Sequence, residues 1–110
     1  MPVRSFAGAK SIDASLVTVV GSIWECDGCT KFGLQVILGG TVVATGCVVT
    51  LQGTLDGTNY FTLATWDVTA PLASGAIVFA VDKPVRKIRA NCTTLSGGTA
   101  PTVTAYLSAA

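Results

Sequence analysis

Val48-Val49-Thr50-Leu51-Gln52-Gly53-Thr54-Leu55-Asp56-Gly57-Thr58-Asn59-Tyr60-Phe61-Thr62-Leu63-Ala64-Thr65-Trp66 is the stretch that decides the fold. In its first half Val49, Leu51 and Leu55 share one face of an extended chain, while Thr50, Gln52 and Thr54 take the other. That is the period of two of a half-buried strand. Asp56-Gly57-Thr58-Asn59 is turn chemistry, because Gly57 accepts positive φ and the Asp56 and Asn59 side chains can bond nearby backbone. Tyr60 to Trp66 runs back through residues that suit a pleated surface, and the whole predicts a β-hairpin.

Working outward, the same period recurs. Phe32, Leu34, Val36 and Leu38 alternate before a Gly39-Gly40 turn and a short extended piece over 41–44. Residues 16–23 are a β-branched run, and Ile77, Phe79 and Val81 share one face of a further strand that Asp82-Lys83-Pro84 ends, since proline cannot donate to a central ladder. Over 86–93, Ile88, Ala90 and Cys92 oppose Lys87, Arg89 and Asn91. Ser96-Gly97-Gly98-Thr99 is a turn, and the last strand sets Val103, Ala105 and Leu107 inward against Thr102, Thr104 and Tyr106. No stretch holds a 3.6-residue period. The prediction is an all-β chain: one antiparallel β-sandwich of seven to eight strands, jelly-roll-like, with an Ig-like topology as the alternative. Residues 1–14 show little periodicity and are expected to form an N-terminal arm, leaving 15–110 for the sandwich. The Pro71-containing stretch 68–75 is expected to be a longer connection.

A chain of 110 residues is one domain. Half of it is apolar, yet 12% is charged, against about 25% in ordinary soluble domains. A surface so poor in charge calls for a cover, and a symmetric oligomer or larger assembly supplies one. A net charge of +1 exerts no global pull on nucleic acid or anionic membrane. Histidine is absent, Glu25 is the single glutamate, and no serine sits in a nucleophile elbow. The aspartates stand apart in turns, so neither an enzyme nor a cofactor is expected. Lys10 and Asp13, with Thr18, Gly21 and Ser22 in the apolar run after them, argue against a signal peptide. Residues 32–55 carry no charge and are long enough to cross a bilayer as a helix. Gln35, Gln52, Gly39-Gly40 and the alternation at both ends favour two strands and a turn, with no membrane partner.

Val49-Thr50-Leu51-Gln52-Gly53-Thr54-Leu55-Asp56-Gly57-Thr58-Asn59-Tyr60, then Pro84-Val85-Arg86-Lys87-Ile88-Arg89-Ala90-Asn91, and Leu95-Ser96-Gly97-Gly98-Thr99-Ala100-Pro101-Thr102-Val103-Thr104-Ala105-Tyr106-Leu107, resemble small β-sandwich virion proteins of tailed bacteriophages. The resemblance implies a capsid decoration or cement protein, or a tail part. A looser likeness runs to discoidin-type carbohydrate-binding sandwiches, from which this chain departs with Tyr60 in place of a tryptophan and Lys87 in place of a tyrosine. The expected function is that of a virion structural protein, made in the host cytoplasm, which binds the major capsid protein on the outer shell, self-associates as a homotrimer and bridges subunits. The alternative is a carbohydrate-binding or structural sandwich of a tail or fibre.

Candidate sites are few. Cys26 and Cys29 have the spacing of half a zinc knuckle, and Cys47 and Cys92 exist to complete four ligands. Strand parity instead points Cys47 and Cys92 into the core as small hydrophobes, and buried thiols or a disulfide are the competing readings. Lys83, Arg86, Lys87 and Arg89 form the basic cluster, a row that suits phosphate, but no aromatics interleave it and a solvated or inter-subunit ion-pairing face is the simpler account. Trp66, Tyr60 and Tyr106 offer sugar-stacking rings whose ordinary role is core edge or interface anchor. Asp56 and Asp27 sit in Asp-Gly turns that need no calcium to explain them. The partner-binding candidates are Arg4, Phe6, Lys10, Trp24, Lys87 and Arg89, with the arm and the loop 26–30 as the expected functional surface.

Overall fold

The computed structural model describes residues 5–26, 28–68 and 74–110. The period-two runs become nine strands, and no helix forms among the described residues: β1 (Phe6–Ser15), β2 (Val19–Val20), β3 (Trp24–Glu25), β4 (Phe32–Gly39), β5 (Gly46–Thr54), β6 (Phe61–Asp67), β7 (Ile77–Ala80), β8 (Lys87–Ser96) and β9 (Thr102–Ala109). They pair in two antiparallel sheets, ordered β1-β9-β4-β7 and β2-β8-β5-β6, with β3 also on β8. Val19 lies opposite Cys92 and Trp24 opposite Ile88, so β2 and β3 are two ends of one interrupted edge strand. Counted that way the described residues form eight strands in jelly-roll order, each sheet interleaving strands from both halves of the chain. An Ig-like sheet would pair the first strand with its sequence neighbour. Here β1 pairs with the last strand instead.

The predicted alternation builds the core. Phe32, Leu34, Val36 and Leu38 of β4 face inward with Val103, Ala105, Leu107 and Ala109 of β9, and meet Cys47, Val49, Leu51, Ile88, Ala90, Cys92 and Trp66 of the other sheet. The uncharged 32–55 segment is therefore β4, a connection and β5, and no helix among the described residues is long and apolar enough to cross a membrane.

Three expectations change. Of the arm expected over 1–14, residues 6–14 belong to β1, which pairs along β9 and buries Ala9, Ile12 and Ser11. Its periodicity was hidden by register shifts between Phe6 and Ala9, Lys10 and Ile12, and Ile12 and Ser15, each of which resets which side chains point inward. Residues 1–4, with the candidate Arg4, lie outside the described residues, as do Asp27 and Pro71. Of the run 16–23 only Val19–Val20 is strand, and Leu16, Val17, Val20 and Ile23 are exposed. In β5 the alternation ends before Leu55, which is exposed, whereas Thr54 is buried.

Thr54 is buried because it anchors the hairpin turn. Its hydroxyl donates to Asp56 Oδ1 at 2.9 Å and accepts from the Gly57 N–H at 3.1 Å. The same Oδ1 accepts from the N–H groups of Thr58 and Asn59, both at 2.8 Å, and Asn59 Nδ2 reaches Oδ2 at 2.7 Å. Gly57, at φ 85°, supplies the left-handed step. The backbone N–H groups of Asn59 and Thr58, then the Asn59 and Thr54 side chains, hold the Asp56 carboxyl well below the ordinary carboxylate range. A carboxyl depressed on folding contributes stability above its unfolded pKa, and that contribution is lost as pH falls through the folded value. Asp56→Asn is therefore expected to lower the melting temperature at neutral pH and to flatten its decline below about pH 4. Parallel pH-melting curves for the two proteins would contradict this role.

Candidate interaction surface

The basic row does not stand free. Lys87 and Glu25 pair across β8 and β3, Nζ to Oε1 3.4 Å. Arg89 Nε donates to Gln52 Oε1 at 3.0 Å, and its guanidinium lies 3.8 Å from the Tyr60 ring centroid. Both cations are engaged within the chain, Lys87 in an ion pair and Arg89 by an amide oxygen and an aromatic ring. Tyr60 has one ring face covered by Arg89, and Trp66 is fully buried, its indole N–H donating to the Ala76 carbonyl at 3.1 Å. Trp66 is thus closed to any sugar.

The four cysteines do not converge. Cys26 and Cys29 are joined by a disulfide at the end of the sandwich where the Cys26 N–H bonds the Arg86 carbonyl. Cys47 and Cys92 are buried free thiols, and Cys92 lies six residues beyond Arg86 along β8, roughly 20 Å at about 3.3 Å per residue. No group of three or more metal-ligating residues occurs among the described residues. Parity placed Cys47 and Cys92 correctly because each follows the inward set of its strand.

Of the partner candidates, Phe6 and Trp24 stack on each other, ring centroids 5.6 Å apart, tying β1 to β3 across the edge of the sandwich. Lys10 pairs with Asp13 at 3.4 Å and sits 5.7 Å from the Tyr106 ring.

The surface that alternation alone did not reveal is the outer face of the β1-β9-β4-β7 sheet. Phe32 and Leu34 face the core, and they are paired with Ala80 and Val78, so those two point inward as well. Ile77 and Phe79 must then point outward, at 47% and 69% exposure. Val81, just beyond the strand, and Ile37 on β4 extend the apolar strip. Register defines two rows across this face: Lys10, Tyr106, Gln35 and Ile77 form one, and Ser108, Gly33 and Phe79 form the next. The second row is floored by small residues. A Cβ on Gly33 would stand 2.5 Å from Ser108 Oγ and 3.7 Å from the Phe79 ring. Between these rows and Ala7-Gly8 lies an open groove of about 450 Å³, walled by Tyr106, Gln35 and Ile77. The Gln35 amide is held in place by donating to the Gly75 carbonyl at 2.9 Å.

The fold and its surfaces define a jelly-roll sandwich with an exposed apolar strip along one edge of a charge-poor outer face. Its fold is similar to that in the crystal structure of SPBc2 prophage-derived protein YomS, with a TM-score of 0.61 and 10% sequence identity over 94% of this chain and 90% of that one. At that identity the likeness is one of fold alone. No family model matches the chain, and no curated protein matches its sequence.

Proposed function

We propose that this protein is a structural component of a phage virion, and more specifically a decoration or cement protein that binds the major capsid protein on the outer shell as a homotrimer. The observation that carries the reading is the exposed strip Ile37, Ile77, Phe79 and Val81 on a sheet with almost no charge. Large apolar side chains gathered on one face of a small domain are the mark of a contact surface. The fold shared with a prophage-derived protein supports a phage setting. The mechanism is mechanical: a protein that buries surface across two capsid subunits binds the assembled shell better than the separated subunits, and that difference stabilises the shell.

The test adds purified protein to undecorated shells. Binding should saturate at a fixed ratio of three chains per site and raise the temperature at which shells disrupt. The double variant Ile77→Asp, Phe79→Asp changes exposed positions of an edge strand, so it should keep the melting temperature of the free protein while losing shell binding by at least tenfold. No co-sedimentation of the unaltered protein with shells would remove the decoration reading. Unchanged binding by the double variant would move the contact to another face.

A further inference from the structure

We propose that Cys47 and Cys92 are an oxidisable pair that closes a second, cross-strand disulfide inside the core, locking β5 to β8. Both thiols are fully buried and lie on adjacent strands. Register sets Cys92 opposite Val49 and Cys47 opposite Leu95, with a shift between Val48 and Val49 that leaves Thr93 as the extra residue. On that core face Cys47 and Cys92 are diagonal neighbours, near enough for each to shift the other's titration. A diagonal pair in a regular ladder is wider than a disulfide accepts. At the bulge between Val48 and Val49 the ladder is already irregular, and the bond would form by the two strands closing there.

The chemistry needs only hydrogen peroxide. One thiol is oxidised to the sulfenic acid with release of water; the second sulfur then attacks the first, expelling a second water and forming the S–S bond. The neighbouring Cys92 and burial away from water push the Cys47 thiol far above the ordinary range, and the Cys92 thiol donates to the Thr94 carbonyl at 3.4 Å. Because no water reaches either sulfur, oxidation is expected to be slow in the native state and fast when the chain refolds with oxidant present. The bond would close the loop from residue 47 to residue 92 and raise stability by constraining the unfolded chain.

The experiment oxidises the purified chain with hydrogen peroxide during refolding and follows three readouts. Thiols titrated in denaturant should fall from two to none. Proteolytic mapping should show a peptide joining residues 47 and 92 within one chain, and the melting temperature should rise by roughly 10 °C. Reduction should reverse all three, and Cys47→Ser should abolish the crosslink. Two thiols persisting after oxidative refolding, crosslinks that join either residue to Cys26 or Cys29, or sulfinic acid at Cys92 without a bond would each overturn the proposal. The mapping is done on the unaltered chain, so the result does not depend on a variant folding.

Discussion

Replacing Trp66 with alanine is expected to lower the free energy of unfolding by about 4 kcal/mol, the largest single effect predicted for this protein. Trp66 is the largest fully buried side chain among the described residues. It stands on β6, an edge strand of one sheet, opposite Val49 of β5, and its indole N–H reaches the Ala76 carbonyl just before β7, the edge strand of the other sheet. The ring thus closes the side of the sandwich where β6 and β7 face each other without a ladder between them. Truncation removes the apolar volume, leaves a cavity between the two edges and strips the Ala76 carbonyl of its donor. Urea unfolding of the two proteins measures the difference directly. Trp66→Phe keeps most of the volume and loses the hydrogen bond, so its cost should be about 1 to 2 kcal/mol. An alanine variant within about 1 kcal/mol of the parent would mean that the two edges collapse onto each other and that the ring is not their spacer.

Gly40→Ala should be the next most damaging, on the order of 3 kcal/mol. Gly40 has φ 105°, a conformation that residues with a Cβ rarely adopt. A Cβ there would be driven into the Ala100 carbonyl oxygen and would stand 2.9 Å from Pro101 Cα, so backbone would have to move. The loop after β4 and the loop before β9 are packed together at this point, joined by the bridge between Val42 and Thr99. Gly8 is the control. It has φ 75° but open space around its Cβ position, so Gly8→Ala should cost only the left-handed strain, about 1 kcal/mol. Equal melting points for the two variants would show that the loop contact yields freely.

The hairpin at 48–66 survives apart from the exchange of Thr54 and Leu55, because nearly everything that forms it is local. Val49 and Leu51 alternate with polar neighbours, Asp56 gathers the turn N–H groups, and the β6 run follows within a few residues. The inward Cys47 and Cys92 and the all-β sandwich were legible for the same reason: parity along one strand needs no knowledge of the partner strand. β1 was not legible, since its register shifts scramble parity and its partner, β9, is at the other end of the chain. The interaction surface was missed more instructively. Ile77, Phe79 and Val81 alternate as cleanly as any core strand, and alternation is silent about which set is buried. Nothing within the segment distinguishes Val78 and Ala80 as the core pair; only their register against Phe32 and Leu34 does.

The amino-acid sequence by itself determined an all-β sandwich, its central hairpin and the inward faces of β4, β5, β8 and β9, because the period of two and the turn residues act over a few residues. Tertiary structure decided the jelly-roll order, the recruitment of residues 6–15 as an edge strand, the separation of the two cysteine pairs and the outward turn of Ile77 and Phe79. Each of these depends on which strands meet across the molecule and in what register, and a one-residue change of register reverses every side chain on a strand.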